Sequence, residues 1–428
     1  MRDRIIIFAM FACASLVGIH GAYNAMTSGD RLDKDVCTPM HALDAYSEAG
    51  IVRAGERFAR EGFAVTCALP DTGYGNRYPG IGLTGPSGPQ AGDRVYHGDP
   101  PGAYWVVGLL MRWAGEVPLS LLRLVPTLVA FVSTAAFAWA LAKTLGEKQA
   151  LLVLVLCLAT PMFSNMADSL YYHGYSMGLL LVQIAILVPW FGTSDPRGSV
   201  MRWGALVLIG LAQGLLSYTY CGVQTFAAVP IALVMTPEDR AIDWKQVWGV
   251  VLASGSAFVL AHLIHLGQSW LYFGDVRMVI DEYMHRANKS YWLDEAGLAK
   301  RTSWELRLFG FIETLRTFGA WTHLGGPAAV AVAAMTLIAV TFRRCVATLT
   351  TGWQFTFRSA AGPRVVLGLV AAVLVGSSWV LMKPHHAIAH MNMTARTMVL
   401  PYVLASIVLV RHVRIGVSRG EATVTPGS

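Results

Sequence analysis

Charged residues are scarce in this sequence. Asp, Glu, Lys and Arg make up only 14% of its 428 residues, whereas about 25% is average for a soluble domain. Hydrophobic residues account for 54%, and the mean hydropathy is +0.49. Stretches of about 17–25 apolar residues recur, each long enough to cross the hydrocarbon core of a bilayer. The composition argues against a soluble domain and predicts an all-α polytopic membrane protein.

Motifs for metal binding and redox chemistry are also missing. The six cysteines form no CxxC pair and no Cys/His metal spacing. His386 and His390 are four residues apart and would share one helical face, but no third ligand stands near them, and no HExxH motif occurs. No cofactor is therefore predicted with certainty, and a divalent cation remains an alternative. Cys37 and Cys67 share the first long loop, where a disulfide is chemically permitted.

The net charge of +7 does not indicate nucleic-acid binding. Much of the basic excess lies in short segments between apolar runs, where Lys and Arg fix the orientation of a membrane protein. We therefore predict no nucleic-acid partner.

The apolar runs predict about ten transmembrane helices. The first begins like a signal peptide, with basic residues before an apolar core, but no small-x-small cleavage site follows, so we expect it to remain as a helix. The predicted spans are 5–22, 117–142, 149–166, 174–192, 203–217, 222–235, 248–272, 323–342, 365–382 and 397–411.

The basic residues alternate between the two sides of these spans. With the N-terminus inside, every inside segment holds at least two Lys or Arg, whereas the outside turns 167–173 and 218–221 hold none. Both termini are therefore predicted to be cytoplasmic. The predicted parts are a first helix at 1–22, an extracytoplasmic loop with two surface helices at 23–116, a bundle at 117–272, an extracytoplasmic loop at 273–322, C-terminal helices at 323–411 and a cytoplasmic tail at 412–428.

The first loop contains an acid-bearing amphipathic segment. If 42–61 is a helix, Asp44 and Glu48 lie on one face. An apolar stripe continues the pattern of an interfacial helix, through Ile51, Ala54, Phe58 and Ala59. The simpler alternative is that both acids are favoured by the dipole of the first helical turn.

A second surface helix is predicted after Pro100-Pro101-Gly102. Prolines suit the start of a helix, and Tyr104, Trp105 and Trp113 are typical of the aromatic belt at a membrane interface.

The segment Y-H-x-D-P-P-G-x-Y-W-x-x-G-L-L, at 96–110, together with the acid-bearing helix, resembles the lipid-dependent membrane glycosyltransferases of the GT-C fold. It looks closest to the branch that contains aminoarabinose transferases and protein mannosyltransferases. The resemblance implies an inverting hexosyl- or pentosyltransferase. The donor would be a polyprenyl-phosphate sugar, the acceptor a lipid, glycan or protein outside the cytoplasm, and the general base a carboxylate of the first loop.

The sequence departs from that family at two positions. An Asp-Glu pair commonly opens the first surface helix, but Ser47 and Glu48 stand there, with Asp44 one turn earlier. A lysine usually precedes the double proline, but Asp99 occupies its place. The choice between Asp44 and Glu48 as base is therefore open, and another basic residue is needed for phosphate.

Two further outer segments carry candidate site residues. The turn at 167–175 holds Asp168 as a third candidate acid. Before the last span, the planar guanidinium of Arg396 suits a lipid phosphate, although an arginine here could also serve as an interfacial anchor. The candidate substrate-binding residues are Arg396, His390, His386, His173, Tyr172, Tyr104 and Asp99.

Two alternatives come from other classes of protein. A transporter or flippase of lipid-linked intermediates would carry polar residues through several spans, and a non-catalytic membrane assembly protein would have lost the acid. The polar loops lie on one side and no internal repeat is found, which favours an enzyme. We expect an integral protein of a bacterial inner or plasma membrane, acting on the cell envelope from an extracytoplasmic site.

Overall fold

The chain is described here from a computed structural model. It describes residues 2–27, 36–38, 41–43, 45–71, 95, 100–160, 163, 170, 172–193, 200–277, 279–280, 303–320, 346–348, 353–357, 362–389 and 395–417.

The described chain is mostly helical. The helices are α1 (Arg2–Thr27), α2 (Ala45–Glu61), α3 (Gly102–Ala114), α4 (Leu119–Leu145), α5 (Glu147–Leu158), α6 (Tyr172–Gly192), α7 (Val200–Leu216), α8 (Cys221–Phe226), α9 (Ala228–Met235), α10 (Trp244–Phe273), α11 (Ser303–Ala320), α12 (Pro363–Gly376), α13 (Ser378–Met382), α14 (Pro384–Ala389) and α15 (Val399–His412). A 3₁₀ turn at Arg396–Met398 precedes α15.

The described residues also form five short strands. The prediction of an all-α chain did not include these strands. Strands β1 (Val36–Thr38) and β2 (His41–Leu43) form an antiparallel pair before α2. Strands β3 (Val346–Thr348), β4 (Trp353–Phe357) and β5 (Val413–Val417) form a second antiparallel sheet in the order β3-β4-β5.

Four described helices are long and apolar enough to cross a membrane. These are Ile6–Tyr23 within α1, and the whole of α4, α6 and α10. Helices α7 and α12 are apolar but shorter. The chain is an integral membrane protein. The number of ten spans stays a prediction, because the predicted span 323–342 lies outside the described residues.

The helices pack around α4 and α6. Helix α4 contacts α1, α5 and α6, and α7 runs against α10. The α7–α10 contact depends on two small residues: a Cβ on Gly210 would lie 2.7 Å from the Ser254 carbonyl oxygen, and one on Gly214 would lie 2.8 Å from that of Phe258. Small residues let two helices approach closely where lipid tails provide no hydrophobic drive.

Two of the predicted spans are interrupted. The span 222–235 consists of α8 and α9, which are separated at Ala227, and the span 365–382 consists of α12 and α13, separated at Ser377. Irregular backbone at membrane depth is tolerated only where protein buries it or where it lines a watery cavity.

Basic residues hold one end of the bundle, where α6 and α9 terminate. Arg240 donates to the carbonyl oxygens of Thr193 and Phe191 at 2.6 and 2.9 Å. Arg364 donates to the carbonyl oxygens of Thr236, Pro237 and Arg240 at 2.6, 2.6 and 2.9 Å. We call this the basic end, and the opposite end, where α2 and α3 pack against the start of α6, the first-loop end.

Candidate functional site

Glu48 lies in the first turn of α2 and is completely buried. Its Oε2 accepts hydrogen bonds from Nη2 of Arg123 at 2.6 Å and from Nε at 3.2 Å. Arg123 belongs to α4 and is only 2% exposed. A buried charge is stable only when it is paired, so this ion pair fixes α2 on the first-loop end of α4.

The second oxygen of Glu48 binds a third part of the chain. Its Oε1 accepts a hydrogen bond from the backbone N–H of Leu170 at 3.0 Å. Leu170 is two residues before the start of α6 and two after Asp168. One carboxylate therefore ties together the first loop, α4 and the turn before α6.

An apolar cluster fills the space around this ion pair. Helix α2 contributes Ile51 and Phe58, and α3 contributes Tyr104, which is buried beside them. The α2–α3 contact is close, since a Cβ on Gly108 would lie 2.8 Å from Cβ of Phe58. The other buried members are Ala54, Ala103, Val107, Met111, Leu119, Leu122, Leu170, Tyr172, Tyr175 and Leu216.

The turn after α2 is held from two sides. Cys67 and Ala68 adopt positive φ angles of 51° and 61°, a conformation that non-glycine residues rarely adopt. Trp105 of α3 donates to the Ala68 carbonyl at 2.7 Å, and Gln268 of α10 donates to the Cys67 carbonyl at 3.0 Å. The long helix α10 is thereby joined to both surface helices. The Cys67 thiol is free, and the side chain of Cys37 lies outside the described residues.

The start of α6 continues the site toward α7 and α8. The Tyr172 hydroxyl is 3.5 Å from Oγ1 of Thr219, and the rings of Tyr172 and His173 are 4.0 Å apart. Both aromatic residues are buried. Thr219 belongs to the turn 217–220, in which its N–H donates to Oγ of Ser217 at 3.1 Å. Tyr172 thus bridges the surroundings of Glu48 and the turn before α8.

Arg396 is one of the largest fully buried side chains, with 2% exposure. It opens the 3₁₀ turn before α15. That turn packs on the break between α12 and α13, because Thr397 donates to the Gly376 carbonyl at 2.5 Å. The Nη1 atom of Arg396 is buried and has no hydrogen-bond partner within the part of the chain that the structure describes.

Tyr220, the residue directly before α8, lies in the same region and is completely buried. Burial raises the pKa of its phenol, and the positive charge of Arg396 opposes this rise. The phenol therefore keeps its proton and is available as a hydrogen-bond donor.

The described residues thus form a connected series at the first-loop end. It runs from Glu48 through Leu170 to Tyr172, and then through Thr219 to Tyr220, on whose phenol the charge of Arg396 acts. Of the predicted site residues, this series contains or contacts Glu48, Tyr104, Tyr172, His173 and Arg396. Asp44, Asp99, Asp168 and His390 lie outside the described residues, as does the side chain of His386 in α14.

Two residues of the site were not anticipated from the sequence. Arg123 lies within the predicted span 117–142, and a charge inside a span is a signal of a functional or paired group. Tyr220 gives no such signal, since a tyrosine in an outer turn is typical of any interface. Within the described ranges, no group of three or more His, Cys, Asp or Glu side chains could hold a metal ion.

No protein-family model matches the chain, and no curated protein matches it in sequence. One solved structure that resembles it is the crystal structure of ArnT from Cupriavidus metallidurans bound to undecaprenyl phosphate. The alignment covers 96% of this chain and 77% of that one, with 15% identity and a TM-score of 0.38. At this score the two folds are only loosely alike.

Proposed function

We propose that the chain is a membrane glycosyltransferase that moves a sugar from a polyprenyl-phosphate donor to an acceptor at the first-loop end of the bundle. The observation that carries the proposal is Arg396, a buried guanidinium whose Nη1 has no partner among the described residues. The resemblance of the 96–110 segment to GT-C transferases supports the same reading.

A buried arginine whose Nη1 has no hydrogen-bond partner among the described residues is suited to bind an anion. Leaving its charge uncompensated away from water is costly. The planar fork of arginine matches the geometry of a phosphate group and can bind it through two parallel hydrogen bonds. A donor whose tail stays in the bilayer would bring its phosphate to this depth. We therefore propose that Arg396 binds the donor phosphate. The transferases that this chain resembles usually carry a lysine before the double proline, where this chain has Asp99, and Arg396 would take over the role of that lysine.

The acceptor hydroxyl needs a base, for which Asp44 and Glu48 are both candidates. Both oxygens of Glu48 already accept hydrogen bonds, from Arg123 and from the N–H of Leu170. Asp44 directly precedes the first residue of α2. We therefore favour Asp44 for proton transfer and Glu48 for holding the site together. Asp168 is the third candidate, since it is two residues before Leu170.

The proposed step is a single displacement. The acceptor oxygen attacks the anomeric carbon of the sugar and gives up its proton to the carboxylate. The bond between the anomeric carbon and the phosphate oxygen breaks, and its electron pair leaves with the phosphate, which Arg396 stabilises. The transition state resembles an oxocarbenium ion, and the configuration at the anomeric carbon is inverted.

The basic end supports the proposed orientation in the membrane. Arg240, Arg364 and Arg411 lie where α6, α9 and α15 end. Lys and Arg are enriched on the cytoplasmic side, which supports an extracytoplasmic first-loop end and a site that faces the cell envelope.

The test uses purified protein in nanodiscs with polyprenyl-phosphate-linked hexose or pentose and an envelope extract of the host as acceptor. Released polyprenyl phosphate is measured by mass spectrometry. We expect release that requires the extract and falls at least tenfold in Arg396→Gln, because one hydrogen bond to a charged group contributes roughly 1.5–3 kcal/mol. The proposal fails if no donor is consumed and if deletion of the protein leaves every surface glycan unchanged.

A specific observation favours transport as a second function. Gln183, Gln213 and Gln224 are buried in α6, α7 and α8, and each has at least one side-chain atom without a hydrogen-bond partner among the described residues. Buried polar groups within spans are typical of translocation pathways. A flippase would move a polyprenyl-phosphate sugar across a liposome membrane without consuming it, whereas a transferase would consume it.

A further inference from the structure

The start of α8 and the break between α12 and α13 meet at the 3₁₀ turn that begins with Arg396. The first residues of α8 contact the first residues of α13, since a Cβ on Gly222 would lie within 2.4 Å of Cβ of Ser378. The 3₁₀ turn of Arg396 packs on the same break, where Ser377 Oγ lies 3.7 Å from Sδ of Met398. Tyr220 and Arg396 therefore approach one junction from two different elements.

Both residues bring an unused donor to this junction. The Tyr220 side chain is 0% exposed and that of Arg396 is 2% exposed. The Tyr220 hydroxyl and Nη1 of Arg396 are buried and without a hydrogen-bond partner in the described ranges. Buried polar groups in native proteins are nearly always satisfied. Two buried donors at one junction, one of them cationic, can be satisfied together by an anion that offers several acceptor oxygens.

We propose that the Tyr220 hydroxyl and the Arg396 guanidinium together bind one phosphate group, with Tyr220 donating a hydrogen bond to a phosphate oxygen. Tyr220 is thereby a further binding residue, which the sequence did not indicate. This inference rests on the proposed function in one respect: it takes the phosphate to be that of a lipid-linked donor. A free phosphate ion would offer the same oxygen atoms.

The test measures ligand affinity and does not depend on catalysis. Polyprenyl phosphate, uncharged polyprenol and inorganic phosphate are titrated separately against the purified protein in nanodiscs. The variant is Tyr220→Phe, which removes a single oxygen atom. The matched control is Tyr402→Phe in α15, where the buried tyrosine already donates to the Leu156 carbonyl at 2.8 Å. Thermal unfolding of each variant shows that it is folded.

We expect Tyr220→Phe to weaken polyprenyl phosphate binding roughly tenfold, as for one hydrogen bond to a charged group, and to leave polyprenol binding unchanged. Tyr402→Phe should lower thermal stability without changing phosphate affinity. A loss confined to inorganic phosphate would assign the pair to a free phosphate ion. Wild-type affinity of Tyr220→Phe for both phosphate ligands would overturn the inference.

The outcomes separate this inference from the proposed function. If the protein binds polyprenyl phosphate through Tyr220 but transfers no sugar, the phosphate site stands and the transferase does not. If sugar is transferred and Tyr220→Phe binds the lipid phosphate like wild type, only the role of Tyr220 is wrong. If the wild-type protein binds neither phosphate ligand, both are wrong.

Discussion

Glu48 and Arg123 form a buried ion pair between the first turn of α2 and the first-loop end of α4, with Nη2 of Arg123 2.6 Å from Oε2 of Glu48. The pair joins a surface helix to a helix long enough to cross the membrane. Removing either side chain would leave the other charge buried and uncompensated. We therefore expect α2 to stay packed against α4 only while this ion pair is intact.

The first prediction concerns the stability that this pair provides. Arg123→Gln should lower the free energy of unfolding by about 3–5 kcal/mol, because removing one partner strands the other charge in the interior. The double variant Glu48→Gln/Arg123→Gln should be less destabilised than the sum of the two single variants. Thermal unfolding in detergent measures all three. Strictly additive losses would show that the two side chains do not interact.

The second prediction separates the base from the residue that holds the site. Asp44→Asn should reduce sugar transfer roughly 10²- to 10⁴-fold, the range for a general base, and should leave the unfolding temperature unchanged. Glu48→Gln should reduce both transfer and unfolding temperature, because it disturbs the bonds to Arg123 and Leu170. If Asp44→Asn remains active and Glu48→Gln is inactive at wild-type stability, Glu48 is the base.

The third prediction tests the close approach of α3 to the end of α7. A Cβ on Gly102 would lie 2.6 Å from the Leu215 carbonyl oxygen, which cannot move without shifting the backbone. Gly102→Ala should therefore destabilise the protein by about 1–3 kcal/mol and reduce transfer. Gly204→Ala in α7 is the control, since nothing lies within 4 Å of its Cβ position. Equal unfolding temperatures of the two variants would argue against this packing.

The fourth prediction concerns the basic end. Arg364→Ala removes the donor for the carbonyls of Thr236, Pro237 and Arg240 and should lower the free energy of unfolding by about 1–3 kcal/mol. The affinity for polyprenyl phosphate should not change, because the arginine lies at the end of the bundle opposite Arg396. A parallel loss of lipid affinity would mean that the two ends are coupled.

The sequence predicted the long helices well, because their apolar runs are set by bilayer thickness. The predicted span 117–142 corresponds to α4 at Leu119–Leu145, and 174–192 to α6 at Tyr172–Gly192. The acid-bearing helix predicted at 42–61 corresponds to α2 at Ala45–Glu61. The long helices are marked by their apolar runs and α2 by its amphipathic pattern, so none of them needs tertiary information.

The partners within the site could not be predicted in the same way. Glu48 and Arg123 are 75 residues apart, and no local pattern pairs a loop acid with a charge inside an apolar span. The break at Ala227 has a local cause, because Pro230 lacks the N–H that would donate to the Phe226 carbonyl, whereas the break at Ser377 is not next to a proline. Tyr220 and Arg396 are brought to one junction by the contact between the start of α8 and the break at Ser377, which only the three-dimensional structure shows.

The most direct test of the account is the affinity of Arg396→Gln for polyprenyl phosphate and for uncharged polyprenol in nanodiscs. Wild-type protein should bind the phosphate lipid roughly tenfold to hundredfold more tightly than the alcohol, as one or two charge-assisted hydrogen bonds allow. Arg396→Gln should lose this preference and keep its affinity for the alcohol. An undiminished preference for the phosphate lipid in Arg396→Gln would contradict the assignment of Arg396 to the donor phosphate.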